Sequence, residues 1–200
     1  MKMDFHDTQR LLDFYREALE KHGDRDPRSV RWTTQRDQER RFRVLTMVDE
    51  LQGCSVLDVG CGLGDLYKYF LKNEIDVEYT GIDIVPEFIE VAQKKYLSAD
   101  FECRDIFEVE KKYDFVLASG SLSFKVADNQ TYYLDMIKRM YQQCRIATAF
   151  NMLDRKMHID DETYAAYSPE EIADFCDGIA GHVEIVTDYL PQDFTIYLFR

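Results

Sequence analysis

The run CSVLDVGCGLGDL, residues 54–66, governs how the rest of the chain is read. A short apolar stretch comes first, then a carboxylate, Asp58, then glycines at 60, 62 and 64, then a helix-like opening. A strand, a tight turn and a helix N-terminus in succession predict several free backbone N–H groups around one point. Gly60 permits backbone angles closed to other residues, and Gly62 lets a ligand approach the main chain without meeting a Cβ. Gly64 lets the helix start close to the strand. A small polar ligand at the C-terminal end of a parallel strand is what such a turn implies.

Outward from the turn, strands alternate with helices. Residues 55–59, 77–84, 101–103, 113–118 and 145–150 read as strands from their apolar, β-branched and aromatic content. Residues 65–72, 86–96, 129–142 and 169–177 read as helices. Pro86 with Glu87, Asp128, and the box Ser168-Pro169-Glu170-Glu171 supply their starts. Strands separated by helices predict a parallel sheet covered on both faces. Residues 183–189 and 194–199 are two further strands. The four-residue link between them, 190–193, allows only antiparallel pairing.

Two helices precede the turn. One spans 4–21 with a stripe of Leu11, Leu12, Tyr15, Ala18 and Leu19. It is ended by His22-Gly23-Asp24 and Pro27. The second starts at a Thr34-x-x-Asp37 box and buries Leu45, Val48 and Leu51 before Gly53. We divide the chain into a helical cap, 1–53, and a ligand-binding domain, 54–200. Trp32, Gln35 and Arg41 are candidate lid residues. The long stretch 151–167 has no regular pattern, and stretches beyond about 12–15 such residues usually serve as lids or binding loops.

The dinucleotide fingerprint places its third glycine where Asp65 stands, and an acidic first turn repels phosphate. Asp58-Val59-Gly60-Cys61-Gly62-Leu63-Gly64 instead resembles motif I of the class I S-adenosylmethionine-dependent methyltransferases, an acidic residue followed by x-G-x-G-x-G. The five strand–helix steps and terminal hairpin resemble that family's seven-stranded sheet: α/β, doubly wound and mostly parallel, with a C-terminal antiparallel hairpin and two N-terminal helices. The resemblance implies S-adenosylmethionine as cofactor and S-adenosylhomocysteine as product. That ligand carries an ammonium and a sulfonium and no phosphate, so carboxylates around a glycine turn suit it.

Residue by residue, the resemblance implies that Asp58 holds the amino end of the cofactor beside Gly60, Cys61, Gly62 and Gly64. It implies that Asp83, followed by Ile84, accepts the ribose hydroxyls. Asp105 would accept the adenine amine, with the Ile106 N–H donating to the ring. Ser119 ends the fourth strand, at the position where several branches of the family carry their chemistry. The Asp/Asn-Pro-Pro-aromatic run of the base N-methylating enzymes, the Pro-Cys of the cytosine-C5 enzymes and the strand-end Asp of the metal-dependent enzymes are all absent. Asp128-Asn129 reads as a helix cap, and no metal is assigned. If the acceptor is a hydroxyl, a base with a pKa near 7 helps. His158 is the candidate, with Asn151, Tyr164 and Tyr167 nearby in sequence. His182, at a strand start, reads as structural.

Composition bounds the rest. A formal charge of −13 is poorly suited to non-specific contact with nucleic acid or anionic membrane. The segment 21–43 is locally basic; it suits an anionic substrate, but a solvated helix face is the favoured reading. No apolar run approaches the ~18 residues of a membrane span. The start lacks a secretory h-region. Five cysteines without CxxC spacing read as core thiols in a reducing compartment, hence cytoplasm. The expected function is methyl transfer to a small molecule. The alternatives are a non-catalytic cofactor-binding or scaffold subunit and a tRNA or protein methyltransferase. A nicotinamide-dependent oxidoreductase fits the glycine spacing less well. The sequence does not fix the oligomeric state.

Overall fold

Seven strands form one sheet in the order β3-β2-β1-β4-β5-β7-β6, in a computed structural model that describes residues 2–158 and 162–200. The strands are β1 (Ser55–Val59), β2 (Glu78–Asp83), β3 (Asp100–Cys103), β4 (Tyr113–Ala118), β5 (Cys144–Leu153), β6 (His182–Val186) and β7 (Asp193–Phe199). The first five are mutually parallel; β7 runs antiparallel between β5 and β6. The sheet order therefore reverses between β1 and β4, and in such sheets a crevice opens at the carboxyl ends of those two strands.

The helices are α1 (Phe5–His22), α2 (Gln35–Leu45), α3 (Asp65–Lys72), α4 (Pro86–Lys95), α5 (Asn129–Gln143) and α6 (Pro169–Asp177). Their starts are the ones the sequence encodes. Asp4, Thr34, Asp128 and Ser168 each accept a backbone N–H from the first turn of their helix. On one sheet face Leu57, Val59, Val116 and Phe150 pack with Leu11, Phe88, Met136 and Ile137. On the other, Val56, Phe115 and Leu117 pack with Phe42, Leu45, Leu66 and Phe70. Alternation along β1 and β4 thus feeds both faces of a doubly wound sheet.

Four expectations are corrected. The second helix stops at Leu45 and continues only as a 3-10 turn, Thr46–Val48. The Thr46 hydroxyl donates back to the Phe42 carbonyl at 2.9 Å, a bond that competes with the helical ladder. Leu45, Val48 and Leu51 are nevertheless buried as predicted. β5 runs three residues past 150, because β7 pairs along it as far as Leu153↔Asp193. The irregular stretch is shortened accordingly and tied down by bridges Phe124↔Tyr164 and Asp154↔Tyr167; its part at 159–161 lies outside the described residues.

The last hairpin is joined by residues 187–192 rather than 190–193, since Asp188 takes a left-handed φ of 64° and ends the strand early. Finally, Cys103 is exposed and Cys54 only half-buried, because β3 is an edge strand and Cys54 precedes β1. Cys61, Cys144 and Cys176 are buried, and all five thiols are free. Among the described residues no helix is long and apolar enough to cross a membrane.

Candidate active site

The crevice at the reversal point is a cleft of about 970 Å³ of empty space, its open mouth included. Asp58, Gly60, Cys61, Gly62, Asp83, Ile84, Asp105, Ile106 and Ser119 all line it. The turn from β1 to α3 forms its floor. Gly60 has φ 75°, and a Cβ there would lie 2.5 Å from the Ser121 Cβ, so the β1 and β4 ends can approach only through a glycine. Gly64 does not line the cleft. A Cβ on it would run into Tyr96 and Phe101, so it serves close packing of α3 on the sheet.

The turn departs from expectation in its hydrogen bonds. The N–H groups of Gly60 and Cys61 both donate to the Ile82 carbonyl, at 2.8 and 3.0 Å. The Gly62 N–H donates to Asp83 Oδ2 at 2.9 Å. The Gly60, Cys61 and Gly62 amides are therefore consumed within the protein, because β2 lies in register beside β1 and ends at the same level. Four carboxylates line the cleft, Asp58, Asp65, Asp83 and Asp105, against one guanidinium, Arg104, itself 3.1 Å from Glu102. This donor set fits a cationic ligand and not a phosphate.

Asp58 carries that argument furthest. It is 2% exposed at the end of β1 and accepts a hydrogen bond from the Tyr79 hydroxyl at 2.6 Å. No basic side chain is bonded to it among the described residues. Burial pushes its pKa up to about 7, the Tyr79 hydroxyl pulling it down and Asp83 and Asp65 adding to the rise. Asp83 is half-buried at the end of β2, and its oxygens accept from Gly62 and Val85 N–H groups. Burial raises its pKa, and these backbone bonds oppose the rise. Each oxygen keeps a second lone pair, and Asp83 lines the cleft. Asp105 caps a 3-10 turn, Ile106–Glu108, with Oδ1 accepting from Phe107, and burial raises its pKa as well. Ile84, Ile106, Phe88, Tyr132 and Met136 make an apolar bed between these carboxylates.

The N-terminal segment roofs the cleft. Trp32 lies against Gly120, and Gln38 donates to Asp65 Oδ2 at 3.0 Å. Val30 sits where a Cβ on Gly62 would point. Gln35, expected in the lid, faces away and bonds Glu39; the residue that reaches the cleft is Gln38, three positions along the helix. Arg41 is not on a solvated face. It is buried, 4.5 Å above the Trp32 ring, and its Nε donates to Asp193 Oδ1 at 3.0 Å. Gln38, Tyr79, Arg104 and Asp193 escaped sequence reasoning, since each acts through a partner distant in the chain. Asn151, noted only as a nearby polar group, clamps the end of β4: its Oδ1 accepts from Gly120 N–H and its Nδ2 donates to Ser119.

A second chamber of about 910 Å³ of empty space adjoins the first across Tyr15, Val30, Trp32 and Gly120. His158 lines it, together with Arg31, Asp37, Asn151, Tyr164 and the Arg41–Asp193 pair. His158 Nε2 is buried and has no hydrogen-bond partner among the described residues.

Comparison with known proteins agrees with this geometry. Residues 56–145 match the methyltransferase domain family. A Mycobacterium tuberculosis protein named as a methyltransferase is 27% identical over 164 residues, 76% of this chain and 96% of that one. A malonyl-[acyl-carrier protein] O-methyltransferase of Acetivibrio thermocellus is 37% identical over 81 residues, covering 38% of this chain and 29% of that enzyme. The fold is shared with magnesium protoporphyrin IX methyltransferase from Synechocystis PCC 6803 with bound S-adenosylmethionine, at 15% identity and TM-score 0.71 over 100% of both chains. With its glycine turn, its sheet order and these likenesses, the chain has the fold of the class I S-adenosylmethionine-dependent methyltransferases and is similar to a methyltransferase domain over residues 56–145.

Proposed function

We propose that the protein transfers a methyl group from S-adenosylmethionine, bound in the cleft at the tips of β1, β2 and β3, to a small molecule held in the adjoining chamber. The observation that carries this reading is Asp58, a buried carboxylate with a pKa of about 7 and no bonded basic partner among the described residues, in a cleft where the Gly60, Cys61 and Gly62 amides are already bonded. An ammonium supplies the counter-charge such a group lacks.

Asp58 then holds the amino end of the cofactor. Asp83 accepts from the ribose hydroxyls while Gly62 and Val85 keep its carboxylate oriented. The free oxygen of Asp105 accepts from the adenine amine, beside the Ile106 backbone. Ile84, Ile106 and Met136 bed the ring. Ser119, fixed by Asn151, closes the cleft where β4 ends. When bound, the cofactor supplies a sulfonium methyl already activated for in-line displacement. The protein's part is alignment and exclusion of water, which contribute about 7–11 kcal/mol in well-oriented systems. Trp32 roofs both spaces, and the Arg41–Asp193 pair braces it from behind. His158 stands on the acceptor side. For a hydroxyl acceptor it serves as the base; for an amine or an ionised acid none is required.

We read residues 1–53 as a cap over the binding domain 54–200, since Val30, Trp32 and Gln38 all bear on its glycine turns. A small-molecule acceptor accords with the size of the second chamber, which is partly open to solvent, and with the net charge of −13. The free cysteines accord with a reducing, cytoplasmic setting. The test is incubation with methyl-labelled cofactor and fractionated small-molecule extract. Label appearing in a low-molecular-weight product supports the reading. Binding of S-adenosylhomocysteine without transfer to any fraction marks a non-catalytic subunit instead.

A further inference from the structure

Two residues that line the second chamber, Arg31 and His158, each carry a buried nitrogen left over by the fold. Arg31 sits at the end of a 3-10 turn, Pro27–Val30, with a left-handed φ of 63°. Its guanidinium carbon lies 3.7 Å above the Phe14 ring, and Nη2 donates to the Phe14 carbonyl. Glu17 approaches Nη2 at 3.9 Å from the exposed side. The Nε is buried and has no partner among the described residues. His158, across the same chamber, repeats the situation. Its backbone N–H is fixed on the Asp154 carbonyl at 2.8 Å, its ring stands edge-on to Tyr164 at 6.4 Å, and its buried Nε2 is unpaired. Buried polar groups are almost always satisfied, and unsatisfied ones concentrate where a ligand completes them.

The other charges around the chamber do not compete for this role. Arg41 and Asp193 neutralise one another in a buried pair. Asp37 is half-buried and its Oδ2 is engaged by the Thr34 hydroxyl at 2.7 Å. What remains unpaired is a cationic N–H and an imidazole nitrogen, both of which suit an oxygen anion. Trp32, Tyr15, Val30, Met152 and Leu153 give the chamber an apolar and aromatic side, and Thr33, Ser123, Asn151 and Gln192 add polar groups.

We infer that the acceptor substrate is a small carboxylic acid, its carboxylate received between Arg31 Nε and His158 Nε2 and its apolar body laid along Trp32 and Tyr15. The inference rests on the second chamber being the acceptor space of a methyltransferase. It gives His158 a binding duty, with the Nε2–H tautomer or the imidazolium as donor.

Trp32 is the sole tryptophan of the chain and lines the chamber, so its fluorescence reports occupancy. The experiment titrates 4-phenylbutyrate, its neutral amide and 4-phenylbutylamine into the full chain, with and without S-adenosylhomocysteine. The acid is expected to bind about tenfold tighter than the amide, with the amine weakest. His158→Phe and Arg31→Gln are each expected to erase most of that preference, Arg31→Lys to keep part of it. Calorimetric affinity for S-adenosylhomocysteine stays unchanged in His158→Phe. Equal binding of acid and amide, tighter binding of the amine, no Trp32 response to any probe, or a preference that survives His158→Phe would each overturn the inference. Failure of S-adenosylhomocysteine to bind sinks the methyltransferase reading alone, since the acid–amide comparison is also made without it.

Discussion

The six-membered ring of Trp32 occupies the space beside Gly120, within 2.4 Å of where a Cβ on that residue would stand. The two positions are matched. The glycine takes a φ of 75° to turn the chain at the end of β4, and the ring fills what its missing side chain leaves. This contact joins the N-terminal segment to the sheet between the cofactor cleft and the second chamber.

Gly120→Ala therefore costs about 1–2 kcal/mol from the left-handed backbone alone, and displacing Trp32 adds to it. The cost should fall by about 1 kcal/mol or more in a Trp32→Ala background, where no ring is left to displace. Urea denaturation of the two single variants and the double variant measures this. Additive losses would show that the ring moves aside freely.

The Arg41–Asp193 pair gives a second cycle. Both side chains are almost fully buried, and burial raises the Asp193 pKa while Arg41 pulls it down. Removing one partner strands the other, so Asp193→Leu should destabilise by about 3–5 kcal/mol. Arg41→Met with Asp193→Leu should cost less than Asp193→Leu alone, and denaturation midpoints decide it. A double variant as unstable as the sum of its parts would mean that the pair matters through its neighbours.

Asp58 ties stability to pH in the opposite sense from a salt-bridged carboxylate. Its folded pKa of about 7 lies above the ordinary 3.8, so the folded state binds this proton more tightly than the unfolded chain. The stabilising contribution is present at low pH and lost as pH rises through about 7. Asp58→Asn should make the ligand-free protein more stable than wild type at pH 8, by up to roughly 3–4 kcal/mol, and the advantage should shrink as pH falls towards 5. Thermal unfolding at the two pH values checks it. An advantage independent of pH would remove the charge from the explanation.

Binding should follow the same group with the sign reversed. An ammonium needs Asp58 ionised, so wild-type affinity for S-adenosylhomocysteine should fall as pH drops below about 7, approaching tenfold per unit. Calorimetry in buffers of different ionisation enthalpy should register proton release on binding below pH 7. A flat profile from pH 8 to 6 would place the ammonium elsewhere.

Much of this molecule is written locally. The β1 and β4 spans, the helix caps at Asp4, Thr34, Asp128 and Ser168, and the glycine turn follow from residues within a few positions of each other. Asp58, Asp83 and Asp105 fall together because parallel strands in register bring their carboxyl ends to one level. What could not be read depends on partners far along the chain. β5 outruns its local pattern because β7 pairs with it. Arg41, read either as a lid residue or as part of a solvated basic face, is a buried ion-pair partner instead, because nothing in 21–43 announces Asp193, 152 residues later. The turn amides looked free because their acceptors, Ile82 and Asp83, belong to the next strand.

The central claim is that the cleft grips an adenosyl thioether through carboxylates, and calorimetric titration of S-adenosylhomocysteine into wild type and Asp83→Ala tests it most directly. The prediction is one site per chain in wild type, weakened by about 2–4 kcal/mol in the variant, with no heat from NADH. Affinity unchanged by Asp83→Ala, or heat from NADH in place of S-adenosylhomocysteine, would contradict it.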